Sequence, residues 1–348
     1  MKSKTKLNLS LDKFINYALY NDKTGYYMKK NPFGEKGDFV TSPNISRLFS
    51  EIVAIWILSF WESLDSPKKF NLIELGAGNG EMMKILIETF KNFPKFFKSC
   101  NFIIHEKSPS LKNIQKQKLK NTKTIWINEI KKIDKFPMIF VANEFFDSLE
   151  IKQFIKREKN WFEKFVNIEN KKQAFFIERK FNMKNYEKKL KFKLSKNQNF
   201  IEYSEIGINY LKDISNIIKK NSGGILIFDY GYTQNKMKNT LQSIFKHKYS
   251  KVLENIGDSD ITHHINFKLF QNIVKNLGNL RNSLTTQGKF LMKMGIKERA
   301  EIISKNQNFT KKADIYYRLK RLVDDNQMGK IFKVMMITNK KNKFNLGF

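Results

Sequence analysis

The segment Asn143-Glu144-Phe145-Phe146-Asp147-Ser148-Leu149-Glu150 sets three carboxylates directly behind an apolar run, Pro137 to Ala142. Glu144 and Asp147, walled by Phe145 and Phe146, are suited to grip the N–H groups of a guanidinium in bidentate fashion and to help remove its charge as a bond forms on nitrogen. The plainer reading of Glu144 is a loop acid paired with a neighbouring lysine. Asn143 and Phe146 also fit a loose Asn-x-x-aromatic pattern used on flipped bases. That pattern wants two prolines between them, where Glu144-Phe145 stands, and an acid suits a neutral adenine amine poorly.

A second group of residues supplies the other reactant. In "LIELGAGNGEMM", Glu74, Gly76, Gly78 and Gly80 follow an apolar run and open a helical pattern, so the glycines permit a tight turn and close approach of a ligand to the backbone. The spacing is acid-x-G-x-G-x-G. It is neither the G-x-G-x-x-G of dinucleotide sites nor a phosphate-binding loop with its Lys-Ser/Thr. S-adenosylmethionine has no pyrophosphate to cradle, and its cationic amine favours a carboxylate such as Glu74. Glu106 closes the next apolar run, "NFIIHE", where a carboxylate accepts hydrogen bonds from ribose hydroxyls; the plainer reading there is a solvated strand end. Methyl transfer needs alignment and a desolvated, neutral nucleophile.

The elements that must position these residues follow from periodicity. Apolar runs at 70–75, 101–106, 123–127, 137–142 and 224–230 alternate with helical patterns at 80–91, 109–119 and 205–220, which predicts a doubly wound α/β sheet. Between 150 and 200 the period drops to two, predicting an inserted antiparallel hairpin or small sheet. Later come a loop rich in Gly, Asp and His (254–266), a strand near 280–287, helices at 289–304 and 310–322, and a last strand, "KIFKVMMIT". Upstream, 11–20 has helical spacing, 25–49 reads as a structured loop, and Ile45 to Trp61 as a helix capped by Asn44. The expected division is an N-terminal helical and loop extension over 1–67 and a main α/β domain over 68–340, with the insertion at about 150–200.

In order along the chain, "YALYNDKTGYY", "GDFVTSPNISRLF", "ELGAGNGEMM", "HEKSPSL", "ANEFFDSL", "FDYGY", "GDSDITHHINF", "TQGKFLMKMGIKER" and "MGKIFKVMMI" resemble the MidA-like class I S-adenosylmethionine-dependent methyltransferases, from about Phe14 to Ile337. The resemblance implies a Rossmann-like methyltransferase fold and S-adenosyl-L-methionine as cofactor. It further implies a protein substrate, by way of a eukaryotic branch associated with arginine dimethylation on a core subunit of respiratory complex I. His264 matches a family histidine, which implies a proton acceptor, a structural histidine being the alternative. From the residues themselves, Asn143 is expected to orient the cofactor or the loop, Thr41 and Pro43 to close over the cofactor or simply to pack the loop, and Asp229 and Tyr232 to line the substrate mouth. The chain departs from the family pattern at Asn44, Ser50, His263 and Asn266. Competing functions are an assembly factor that binds its client without turnover and an RNA methyltransferase; the insertion is open to a client or to a homodimer.

Composition bounds these readings. The 348 residues, 41% hydrophobic and 14% aromatic, suffice for an ordered core. The net charge of +32 invites nucleic acid, yet only seven of the 65 basic residues are arginines and the lysines are spread along the chain, which reads as solvated surface. Single Cys100 implies a reducing compartment. The N-terminus lacks a signal-peptide core or transit-peptide arginines, and no apolar run reaches membrane-span length, so the expectation is a cytoplasmic protein without membrane insertion. No spacing suggests a metal site.

Overall fold

The computed structural model describes residues 7–29, 41–133, 136–170 and 173–348. Part of the 25–49 loop, residues 30–40, therefore lies outside the described residues.

Seven strands form the main path of the central sheet, in the spatial order Ile125–Ile127, Cys100–His105, Phe70–Leu75, Met138–Asn143, Gly223–Tyr232, Phe332–Asn339, Leu280–Thr286. The first five are parallel; Phe332–Asn339 runs antiparallel to both neighbours. Dinucleotide folds carry their sixth strand at that edge in the order 3-2-1-4-5-6. Here a reversed strand is intercalated. The order switches direction between Phe70–Leu75 and Met138–Asn143, and the crevice beyond the carboxyl ends of these two strands is where ligands of open α/β sheets bind.

Each central strand is apolar on both faces, as a sheet covered on both sides demands. Alternate residues separate cleanly. Leu72, Ile139, Val141, Leu226 and Phe228 pack on one side with Trp56, Phe60 and Phe90. Ile73, Leu75, Phe140, Ala142 and Ile227 pack on the other with Leu211, Ile218 and Phe270. Helix Arg47–Glu62 anchors the first layer: Trp56 is fully buried and stacks on Phe60 at 5.1 Å, a burial worth about 1.5–3 kcal/mol per large apolar side chain. Its cap is Ser46, whose hydroxyl accepts from Leu48 N–H, and not Asn44. Pro43 starts a separate single turn, Ser42–Ile45, which takes up Asn44.

The period-two segment forms the small sheet rather than the single hairpin. Lys152–Arg157, Asn160–Asn170, Gln173–Phe181 and Phe200–Tyr203 form an antiparallel sheet. A fifth strand, Leu7–Ser10, pairs with Asn160–Asn170. The four residues alternate Leu-Asn-Leu-Ser, but so short a run carries little strand signal until a partner pairs with it. Helix Leu11–Tyr20 then packs Phe14, Ala18 and Leu19 against Ile151, Val166 and Ile168, so residues 7–20 form one layer with the insertion, while Arg47–Glu62 packs on the central sheet. Two further elements differ from expectation. Gly295 (φ +81°) divides the 289–304 helix into Gln287–Lys293 and Ile296–Ser304, and the segment after the fifth strand holds a three-stranded sheet, Gln242–Phe245, Lys248–Ser250 and Asp260–Thr262.

Candidate active site

The loops that leave Phe70–Leu75 and Met138–Asn143 touch each other. Gly76 has φ +64°, and a Cβ there would stand 2.8 Å from the ring of Phe145, so this glycine is required both by backbone conformation and by the close approach of the neighbouring loop. Its N–H donates to His105 O at 2.9 Å, tying the turn to the next strand. Gly80 (φ +77°) opens helix Glu81–Phe90, and Asn79 accepts from Glu81 N–H while donating to Asn44 at 3.0 Å.

Two buried acids flank this turn and are treated differently. Glu74 is buried with its Oε2 unpartnered among the described residues; burial and then Glu106 push its carboxyl up from 4.5 to about 8. Glu106 is also buried, and burial raises it, but Ser108 N–H donates to one oxygen (2.9 Å) and Gln115 Nε2 to the other (3.0 Å), which opposes the shift. The same Gln115 nitrogen donates to Gly78 O (2.8 Å), and its oxygen accepts from Trp126 (2.9 Å). One fully buried amide therefore holds the glycine turn, the acid and the strand Ile125–Ile127 together.

The loop after Met138–Asn143 is held as firmly. Glu144 sits in the left-handed region at φ +50°, a strained conformation for a residue with a Cβ. It is fixed by Glu144 N–H to Phe228 O (2.9 Å) and by donation to its Oε1 from Ser42 N–H (3.3 Å) and Asn143 Nδ2 (3.1 Å). Asp229, wholly buried, accepts from the N–H groups of Phe146 (3.1 Å) and Asp147 (3.2 Å) and so sets the turn. Asp147 bonds Tyr230 through its side chain and accepts His263 N–H on its carbonyl (3.0 Å), leaving Oδ1 unpartnered among the described residues. Burial, then Asp147, pushes Glu144 up to about 8, with Ser42, Asn143 and Arg321 opposing; burial pushes Asp147 up to about 6. Such environments hold acids near the pH at which they can both bind and release protons.

A cavity of about 440 Å³ joins the two loops. Of the residues singled out from sequence, Gly76, Gly78, Glu106, Thr41, Glu144, Phe145, Asp147 and His264 line it. Glu74, Pro43 and Asn143 line a smaller adjoining cavity, which shares Thr41, Gly76, Gly78 and Glu144 with the first. Three expected wall residues stand elsewhere. Phe146 packs edge-on against Phe270 (5.3 Å) in the core below the loop. Asp229 is the loop's anchor. Tyr232, one pleat beyond the mouth, is covered by Lys238 (5.0 Å from its ring). Gly80 lines neither cavity and serves as helix cap. His264 is half-buried with its ring 5.3 Å from Tyr230, and burial, with Lys238 and Lys333, lowers its pKa and so favours the neutral imidazole. Its neighbour His263 is pushed to about 3 by burial. Asn266 caps helix Phe267–Leu277 by accepting Leu269 N–H.

Sequence reasoning missed Tyr230, Gln115 and Arg321. Gln115 carried a signal, being a polar residue on the face that buries Leu111 and Leu119. Tyr230 neighbours an anchor residue on its strand, and alternation sends it to the opposite face. Arg321, in the last turn of helix Phe309–Val323, carried none. Among the described residues no three His, Cys, Asp or Glu side chains gather as a metal site, and no helix is long and apolar enough to cross a membrane.

The sheet order with its reversed strand and the crevice built on a glycine turn define a Rossmann-like class I methyltransferase. Residues 52–284 match the family described as "Putative S-adenosyl-L-methionine-dependent methyltransferase", and the chain belongs to that family, with S-adenosylmethionine as its cofactor. A curated relative from Xenopus tropicalis, named protein arginine methyltransferase NDUFAF7, mitochondrial, is 28% identical, with 97% of this chain and 84% of the relative covered. The human protein of the same name is 27% identical, with 88% and 74% covered. A solved structure of a "likely methyl transferase" from Burkholderia thailandensis bound to S-adenosyl-homocysteine superposes with a TM-score of 0.82 at 20% identity, covering 98% of this chain and 90% of that one. These relatives also correct the cytoplasmic expectation, since they are named mitochondrial. That expectation had rested on the make-up of the N-terminal residues, the single cysteine and the lack of a membrane-length apolar run.

Proposed function

We propose that the chain is a protein-arginine N-methyltransferase whose client is a core subunit of respiratory complex I. The supporting observation is the pair Glu144 and Asp147: two carboxyls on one rigid turn, raised by burial, beside the glycine loop, one with an open oxygen. A guanidinium supplies the N–H groups that satisfy both, and ionised carboxylates then draw off charge as the acceptor nitrogen loses its proton. Arginine's own pKa above 12 makes such help necessary.

The residues fit the cofactor. Glu74 holds a buried, open oxygen for its ammonium group, the Gly76 and Gly78 turn leaves backbone room, and Glu106 has its geometry set in advance for two hydroxyls. Thr41, Pro43 and Asn143 close the smaller cavity. When bound, S-adenosylmethionine supplies an electrophilic methyl carbon. Phe145 and Tyr230 exclude water from the acceptor, and His264, kept neutral by burial, is the acceptor for a departing proton. The layer made by Leu7–Ser10 and the insertion serves client recognition or a homodimer.

The test incubates the protein with radiolabelled S-adenosylmethionine and complex I core subunits and maps label by mass spectrometry. Label on arginine, lost in the Glu144→Gln, Asp147→Asn double variant, is expected. Label confined to RNA sinks the proposal, and normal complex I assembly with the double variant assigns the protein to client binding without turnover.

A further inference from the structure

Arg321 stands in the large cavity on the side of Met328 and Phe332, facing Glu144. It has no hydrogen-bond or ion-pair partner among the described residues. The other six arginines each hold a carboxylate, an amide or a ring: Arg47 and Arg299 take Glu51, Arg157 takes Glu178, Arg318 takes Asp314, Arg281 takes Asn345, and Arg179 covers Phe165. The cavity's other cation, Lys107, reaches Glu150 at 3.8 Å and lies over the ring of Tyr20. A half-buried guanidinium left open in a cavity is a site for an anion.

We propose that Arg321 binds a carboxylate of the client beside the arginine to be methylated, so that the preferred substrate is an arginine flanked by Asp or Glu. This rests on the arginine methyltransferase reading and names its substrate class. Once Glu144 holds the client's guanidinium it no longer compensates Arg321, and two guanidinium groups in one low-dielectric cavity repel. A carboxylate next to the target relieves that repulsion and adds a bidentate contact. The net charge of +32 favours association with acidic proteins in general. The cofactor's own carboxylate is the other source of this chemistry, but Arg321 does not line the smaller cavity around Glu74 and Asn143.

The experiment compares kcat/KM for arginine peptides that differ only in Asp, Asn or Lys at the flanking positions, together with cofactor Kd by calorimetry. Wild type should favour the Asp peptide by about tenfold, as expected of a desolvated charge pair. Arg321→Gln should bring the ratio to about one, Arg321→Lys should retain part of it, and Arg321→Glu should turn the preference toward Lys-flanked peptides, with cofactor Kd within about twofold throughout. Equal ratios in wild type and Arg321→Gln overturn the proposal. So does a cofactor Kd raised about tenfold in Arg321→Gln with an unchanged ratio, which assigns the carboxylate to the cofactor. Failure of every enzyme to label any arginine peptide is the distinct outcome in which the parent reading falls and this one with it.

Discussion

Glu106 and Asp147 face the same cavity from opposite loops, both nearly inaccessible, yet the protein completes one and leaves the other open. Glu106 has a donor on each oxygen. Asp147 has Tyr230 on its side chain and nothing on Oδ1 among the described residues. A carboxylate whose donors are built in is a fixed template for neutral hydroxyls. One left short of donors stores the cost of a buried charge until a cation arrives. Glu106 is thus pre-organised for a neutral ligand, whereas Asp147, like Glu74 on the glycine-loop side, is poised for a charged one.

The strongest way to break this contrast is Asp147→Asn. It should lower kcat/KM on an arginine peptide by about 100-fold, the range for removing one member of a buried charged pair, with cofactor Kd unchanged by calorimetry. The pH profile sharpens the point. A guanidinium is bound by ionised carboxyls, so wild-type kcat/KM should rise with pH from about 6, where Asp147 ionises, to about 8, where Glu144 does, and the lower limb should vanish in the variant. A profile flat between pH 6 and 8 would sever these acids from catalysis.

On the other wall the expected effect is smaller. Gln115→Leu removes the donor to Glu106 and the tie to Gly78 while touching no ligand itself, and should raise cofactor Kd about tenfold, as for a lost hydrogen bond to a charged group. Client KM should stay put, and Gln115→Glu should not rescue, because it places a second acid against Glu106. Equal losses in cofactor and client binding would mean a general structural role instead.

The smallest effect concerns Glu74. Its folded-state pKa of about 8 lies above the ordinary 4.5, so the folded protein holds a proton that the unfolded chain releases. Its favourable contribution is complete below about 4.5 and is lost as pH rises through 8. Glu74→Gln should therefore match wild type at pH 4.5 and melt about 5 °C higher at pH 8.5 without cofactor, while binding cofactor more weakly. A variant no more stable at pH 8.5 than wild type would show that Glu74 is already compensated.

Much of this was legible because it is local. Glu74, Gly76, Glu106 and Glu144 sit at strand ends, and the alternation Leu72/Ile73 or Phe140/Val141 states that both sheet faces are covered. Leu7–Ser10 was not legible, since a four-residue strand is defined by the partner that pairs with it. Tyr232 was misplaced for a related reason: being beyond the mouth depends on where Lys238 and Asn266 return.

By itself the sequence determined a glycine turn flanked by acids, a doubly wound sheet to carry it, and a second acidic turn on a neighbouring strand. The tertiary structure alone decided which acids are satisfied and which are open. Gln115 meets Glu106 because one helix crosses the glycine turn, Asp229 takes the loop's N–H groups and so cannot line the cavity, and Arg321 arrives from a distant helix. Turn and strand preferences reside in a few adjacent residues, whereas the donors available to a buried charge are counted only after the chain has closed around it.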